Sequence, residues 1–135
     1  MMWLAGILGG ALMGMIFVAH LSAMFALRPP AVLRDRSPES TLVPLVTLMS
    51  VLSMLMWLGL GVAAAATFTA VHAWLTISAP GTPSVVYSAG VVGLALLLLP
   101  LLLLFVRGRF AHVAAELALF AGIFGWLVPV LITAR

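Results

Sequence analysis

The chain has 135 residues, 65% of them hydrophobic and 7% charged, with a mean hydropathy of +1.33. Soluble domains run at about 45–50% apolar and about 25% charged, so a water-soluble core is excluded. The six basic residues are all arginines and give a formal charge of +3 without the basic face that nucleic acid needs, and the lack of cysteine excludes disulfides, thiolate chemistry and cysteine-ligated metals.

Residues 1–27, 40–106 and 117–134 carry no side-chain charge, and the second stretch is divided by Ala79-Pro80-Gly81-Thr82-Pro83-Ser84. Uncharged segments of this length call for lipid as their solvent. The expectation is an all-α chain: an integral membrane four-helix bundle with short loops and no soluble domain, forming a single transmembrane domain.

The first span is expected over residues 3–27, ending at Arg28-Pro29-Pro30, where proline removes backbone donors and restricts its predecessor. A cleaved signal peptide fits poorly. No Lys or Arg precedes the apolar run, the run is too long, and Ser22-Ala23-Met24-Phe25-Ala26 is a weak cleavage site. Within the span, Gly6, Gly10 and Gly14 recur every four residues with Gly9 beside them. This spacing favours close helix–helix approach, either within one protomer or against a second subunit.

Arg28, Arg34, Asp35, Arg36 and Glu39 fill the following loop, and Ser37-Pro38-Glu39 reads as a helix start. The second span is expected over 41–66, with an interfacial extension to 78. Thr41 to Thr76 as one helix would measure about 54 Å against a hydrocarbon core of ~30 Å. A kink or break at Gly59–Gly61, or emergence beyond the outer surface, would resolve the mismatch. Ser50, Ser53, Met54, Trp57, Gly61 and Ala64 form a small-residue seam along one face, read as packing in preference to a polar pathway.

The third span is expected over 85–106; from Leu94 to Phe105 it is almost all leucine around Pro100, suited to facing lipid or filling space. Arg107-Gly108-Arg109 precedes the fourth, at 110–133, where Ala111, Ala114, Ala118, Ala121, Gly122 and Gly125 make a third small-residue seam. Five arginines lie in the loops on one side of this topology and Arg135 alone on the other. The positive-inside rule makes the arginine-rich side cytoplasmic and both termini external. Trp3, Trp74 and Tyr87 then fall near the outer interface.

Three ionisable residues carry the candidate chemistry. Glu116 is the one acid inside a span, about 9 Å inward from Phe110, with His112 at i−4 and Arg109 at i−7 as local partners. His20 stands about 10 Å from the cytoplasmic end of the first span. Packing of the first helix on the fourth would make His20, His112 and Glu116 a proton or ion site. Against it, a helical wheel puts Glu116 with Leu119, Phe120, Ile123 and Leu127, opposite the small-residue seam, on a face that could meet a partner subunit instead. A bis-histidine haem needs matched depths; His20 and His72 lie on opposite sides, and His20 and His112 differ by about two helical turns. The eight methionines are dispersed, without the clustering that copper thioether sites favour.

Neither a nucleophile constellation nor an acid–base pair on facing helices is evident, so the chain reads as non-catalytic and, by expectation, free of cofactors. Three functions remain open. The first is an accessory or structural subunit of a membrane complex, packed through Gly6, Gly10, Gly14, Ser50, Ser53, Gly61, Gly122 and Gly125. The second is a homo-oligomeric channel or proton-coupled small transporter using Glu116. The third is a haem- or pigment-binding membrane subunit. The expected partners are the lipid bilayer and other membrane subunits or further copies of the chain, and no nucleic acid.

Overall fold

A computed structural model describes residues 2–27, 38–75, 84–105 and 110–134. The described residues form four long apolar helices: α1 (Met2–Leu27), α2 (Pro38–Leu75), α3 (Val85–Phe105) and α4 (Phe110–Thr133), the last carrying a π turn at Ile123–Leu127. All four are long and apolar enough to cross a membrane. Five of the six arginines and Asp35 lie in the segments between helices, outside the described residues, so the expected loops there are not described.

α1 and α2 form an antiparallel pair whose backbones touch. A Cβ on Gly6 would lie 2.6 Å from the Gly61 carbonyl oxygen. One on Gly10 would overlap the Trp57 carbonyl oxygen and sit 2.9 Å from Leu58 Cα. One on Gly14 would come within 2.7 Å of Met54 Sδ, and one on Gly61 would run into the Gly6 carbonyl. The glycine run of α1 and the Trp57–Gly61 stretch of α2 are thus two sides of one contact inside the protomer. The remainder of the α2 seam is looser. Ser50 and Ser53 are half-buried, and among the described residues neither hydroxyl bonds to another span.

α2 runs through Gly59–Gly61 as unbroken helix. Its excess length emerges at the far end. Thr69 Oγ1, within 2.8 Å of its own helix's Ala65 carbonyl, also lies 2.8 Å from Met2 Sδ, so residues 70–75, with His72 and Trp74, continue past the start of α1. Thr47 and Thr67 bond within their own helix: Thr47 donates to the Val43 carbonyl and Thr67 to the Ala63 carbonyl, each at 2.8 Å.

α3 starts at a cap that the Pro/Gly break conceals. Ser84 is buried, its Oγ accepts the Tyr87 N–H at 3.4 Å, and its carbonyl accepts the Ser88 N–H at 3.0 Å. Tyr87, in the first turn of α3, is 7% exposed, because its hydroxyl donates to the Ala64 carbonyl of α2 at 3.1 Å and its ring meets Phe68 edge-on. The leucine run beyond it leaves Leu94, Leu96, Leu97, Leu101 and Leu104 exposed.

Pro129 explains the π turn of α4. It has no N–H, and its ring crowds the carbonyl one turn earlier, that of Gly125. The helix widens there, the Val128 N–H bonding to the Ile123 carbonyl. The freed Gly125 carbonyl accepts Ser88 Oγ–H from α3 at 2.6 Å. Gly125 also admits Val91, whose side chain would lie 3.4 Å from a Cβ there. Gly122, in contrast, packs on no other helix: nothing stands within 4 Å of where its Cβ would be.

The widened turn brings Ile123 and Phe124 to the same side as Val128. With Met13 of α1 and Ala65 of α2 they make the buried core. α1 packs most extensively on α2, α4 packs on α1, α2 and α3, and the start of α3 also meets α2 through Tyr87.

The contact at Gly10 yields a stability prediction. Gly10→Ile must displace backbone rather than a side-chain tip, an overpacking cost of about 1–3 kcal/mol or more. Its thermal unfolding temperature in detergent should fall clearly. Gly59→Ile, where nothing lies within 4 Å of the Cβ position, should match the wild type. Equal stability of the two variants would refute the α1–α2 contact.

Candidate functional site

The site follows from the antiparallel register of α1 and α4. Gly9 meets Val128, and Met13 shares the core with Phe124. One turn further, Phe17 approaches Trp57 of α2 at a ring-centroid distance of 5.9 Å, and Trp57 in turn faces Phe120 at 6.3 Å and Phe124 at 6.1 Å. A further turn along α1 is His20. As α1 advances, α4 retreats by nearly as many residues, so His20 comes level with Glu116.

His20 Nε2 lies 3.8 Å from Glu116 Oε1. The His20 and His112 rings meet edge to face, with centroids 5.3 Å apart. The three expected site residues therefore converge. Separation of His20 and His112 by two turns, expected from counting inward from each helix end, does not hold: α1 extends to Leu27, its end is not level with the start of α4, and the histidines of the two helices meet. The wheel argument also needs correction. The Glu116, Phe120 and Ile123 face of α4 is the one that packs on α1, while Gly122 of the small-residue seam remains open and Gly125 serves α3.

The 3.8 Å separation is an ion-pair distance, longer than a hydrogen bond, and is attractive when the imidazole is protonated. Both side chains stay accessible, His20 at 34% and Glu116 at 31%, so either can exchange a proton or meet a ligand. Arg109, the other expected partner of Glu116, lies outside the described residues.

Two cavities open on either side of this cluster, and both are lined by His20, His112 and Glu116. One, of about 180 Å³, is completed by Phe17, Leu21, Met24 and Val113. The other, of about 310 Å³, is completed by Ile16, Ala111, Ala115 and Leu119. All of these residues belong to α1 and α4.

Among the described residues, no three His, Asp or Glu side chains are spaced to hold a metal ion. His72 is remote from His20 and His112. It sits in the last turn of α2, its ring 5.5 Å from that of Phe68.

The aromatic layer above the cluster is not legible in the sequence as part of the site. Trp57 reads there only as a seam residue, and Phe17 carries no distinguishing mark. The available signal was Phe17 three residues before His20, the spacing that puts both on one helix face. Trp57 Nε1 is buried in this layer with no hydrogen-bond partner among the described residues.

No protein-family model matches the chain, and no curated protein or solved structure is similar to it.

Proposed function

We propose that this chain is a non-catalytic four-span integral membrane protein whose chemical centre, His20–His112–Glu116, binds and passes protons or small cations. The observation that carries the reading is the convergence of three ionisable side chains from two separate helices beside two cavities. An ionisable residue in a membrane span is costly to keep, about 2.5–3.5 kcal/mol at the centre of a helix and less near an interface. Keeping an acid, and bringing a histidine to it from another span beside the one a turn away on its own helix, favours a working site.

Lipid as the solvent is supported by exposed apolar rows that water would not tolerate: Leu48, Val51, Leu52, Leu55 and Met56 on α2, and Leu94, Leu96, Leu97, Leu101 and Leu104 on α3. The orientation we propose follows the arginines. The segments 28–39 and 107–109 face the cytoplasm and both ends of the chain lie outside. Glu116 then sits in the cytoplasmic half of the membrane.

A second reading, an accessory subunit of a larger membrane complex, is favoured by a different observation. Gly59, Gly90, Gly93 and Gly122 have open space where a side chain would stand, so helices of other subunits could approach α2, α3 and α4 closely. The α1 glycines no longer contribute to that reading, since they are used against α2.

Orientation is tested by labelling intact cells with an impermeant maleimide. Because the chain has no cysteine, single Leu33→Cys and Gly81→Cys variants report cleanly. Position 81 should label from outside and position 33 only after permeabilisation; labelling of both from outside contradicts the topology. Transport is tested with purified protein in liposomes enclosing a pH-sensitive dye. Wild type should move protons down an imposed gradient, and Glu116→Gln should abolish the flux. Absent wild-type flux, or undiminished flux in Glu116→Gln, would leave the subunit reading in its place.

A further inference from the structure

The chemistry of the cavities narrows what the site can hold. We infer that His20, His112 and Glu116 form a binding site for a small organic monocation, a quaternary or protonated alkylamine. The inference rests on the reading of this cluster as the chemical centre.

Four features point to that ligand class. The first is charge: the Glu116 carboxylate can neutralise a single positive charge, and neutral imidazoles beside it add none. The second is the wall. Apart from those three residues, the cavities are lined by Phe17, Leu21, Met24 and Val113 on one side and by Ile16, Ala111, Ala115 and Leu119 on the other. An inorganic cation leaving water needs oxygen ligands to replace its hydration shell, and this wall supplies none beyond the cluster. An alkylammonium carries its own apolar shell, which such a wall suits. The third is spacing: among the described residues, no three ligating side chains are set to close on a metal ion. The fourth is Phe17, which lines the same cavity as Glu116 and supplies an aromatic side chain of the kind that attracts cations. Cavities of about 180 and 310 Å³ suit a small ligand, at or below the lower end of the ~300–1,000 Å³ usual for drug-sized molecules.

Among the described residues, the titratable groups facing Glu116 are His20 on α1 and His112 on α4, and neither α2 nor α3 lines the cavities.

The test is calorimetric titration of purified full-length protein in lipid nanodiscs with tetramethylammonium and tetraethylammonium chloride. Wild type should bind at least one probe saturably. Glu116→Gln should weaken binding on the order of tenfold or more, as expected when a charged partner is lost. Glu116→Asp should retain binding, and sodium chloride at the same concentration should not compete. Matching thermal unfolding of wild type and Glu116→Gln ensures that the loss is not one of folding. Absence of saturable binding by wild type, or full binding by well-folded Glu116→Gln, overturns the inference. Glu116-dependent proton flux without alkylammonium binding would leave the transport reading standing and remove this one. Binding without flux would retain this site and remove transport.

Discussion

The backbone contact between α1 and α2 is the constraint on which the rest of the molecule depends. Gly6 and Gly10 face Gly61 and the Trp57 carbonyl with no space for a side chain between them. Apolar helices in lipid gain little from hydrophobic exclusion, so close packing over a long contact has to hold the pair together. The contact also fixes the rotation of α1. With its glycines turned to α2, the neighbouring face presents Gly9, Met13 and His20 to α4. The chemistry of the site is thus inherited from the packing: His20 reaches Glu116 because glycines set the azimuth of α1.

The second half of the chain is organised around a missing hydrogen bond. Pro129 cannot serve the Gly125 carbonyl, the helix widens over Ile123–Leu127, and Ser88 of α3 supplies the donor. An interhelical bond of this kind contributes only about 0.6 kcal/mol on average in membranes, yet here it also satisfies a buried carbonyl. The π turn has a consequence for the core. It turns Ile123 and Phe124 towards Met13, and Phe124 stacks on Trp57 at an interplanar angle of 13°. Phe17, Trp57, Phe120 and Phe124 then form an aromatic layer between the core and the ionisable cluster. The cluster is closed on that side and open to the two cavities flanking it.

How far the sequence reveals this architecture differs from feature to feature. Spans are legible because charge is excluded from them, so their number and approximate limits follow from composition alone. The excess length of α2 is legible as arithmetic, but its resolution is not; Gly59 and Gly61 suggest a break, while in the fold Gly61 accommodates α1 and the excess emerges beyond Met2. Small residues signal close approach without naming the partner. Gly10 and Gly61 turn out to face each other, and Gly122, indistinguishable in sequence from Gly125, faces open space. Depth counted from helix ends fails for His20 and His112, because helices of unequal length need not end level. A uniform 3.6-residue wheel cannot anticipate a π turn; the signal for it, Pro129 inside the fourth span, required asking where the Gly125 carbonyl finds its donor.

The central claim is that the α1–α2 glycine contact holds His20 against Glu116. Rotational-echo solid-state NMR in lipid bilayers tests it most directly, through the dipolar coupling between a ¹⁵N-labelled His20 side chain and the ¹³C-labelled Glu116 carboxyl group. The account predicts a resolved coupling in wild type, consistent with the 3.8 Å between Nε2 and Oε1, that disappears in Gly10→Ile and persists in Gly59→Ile. No coupling in wild type, or a coupling unchanged by Gly10→Ile, would contradict it.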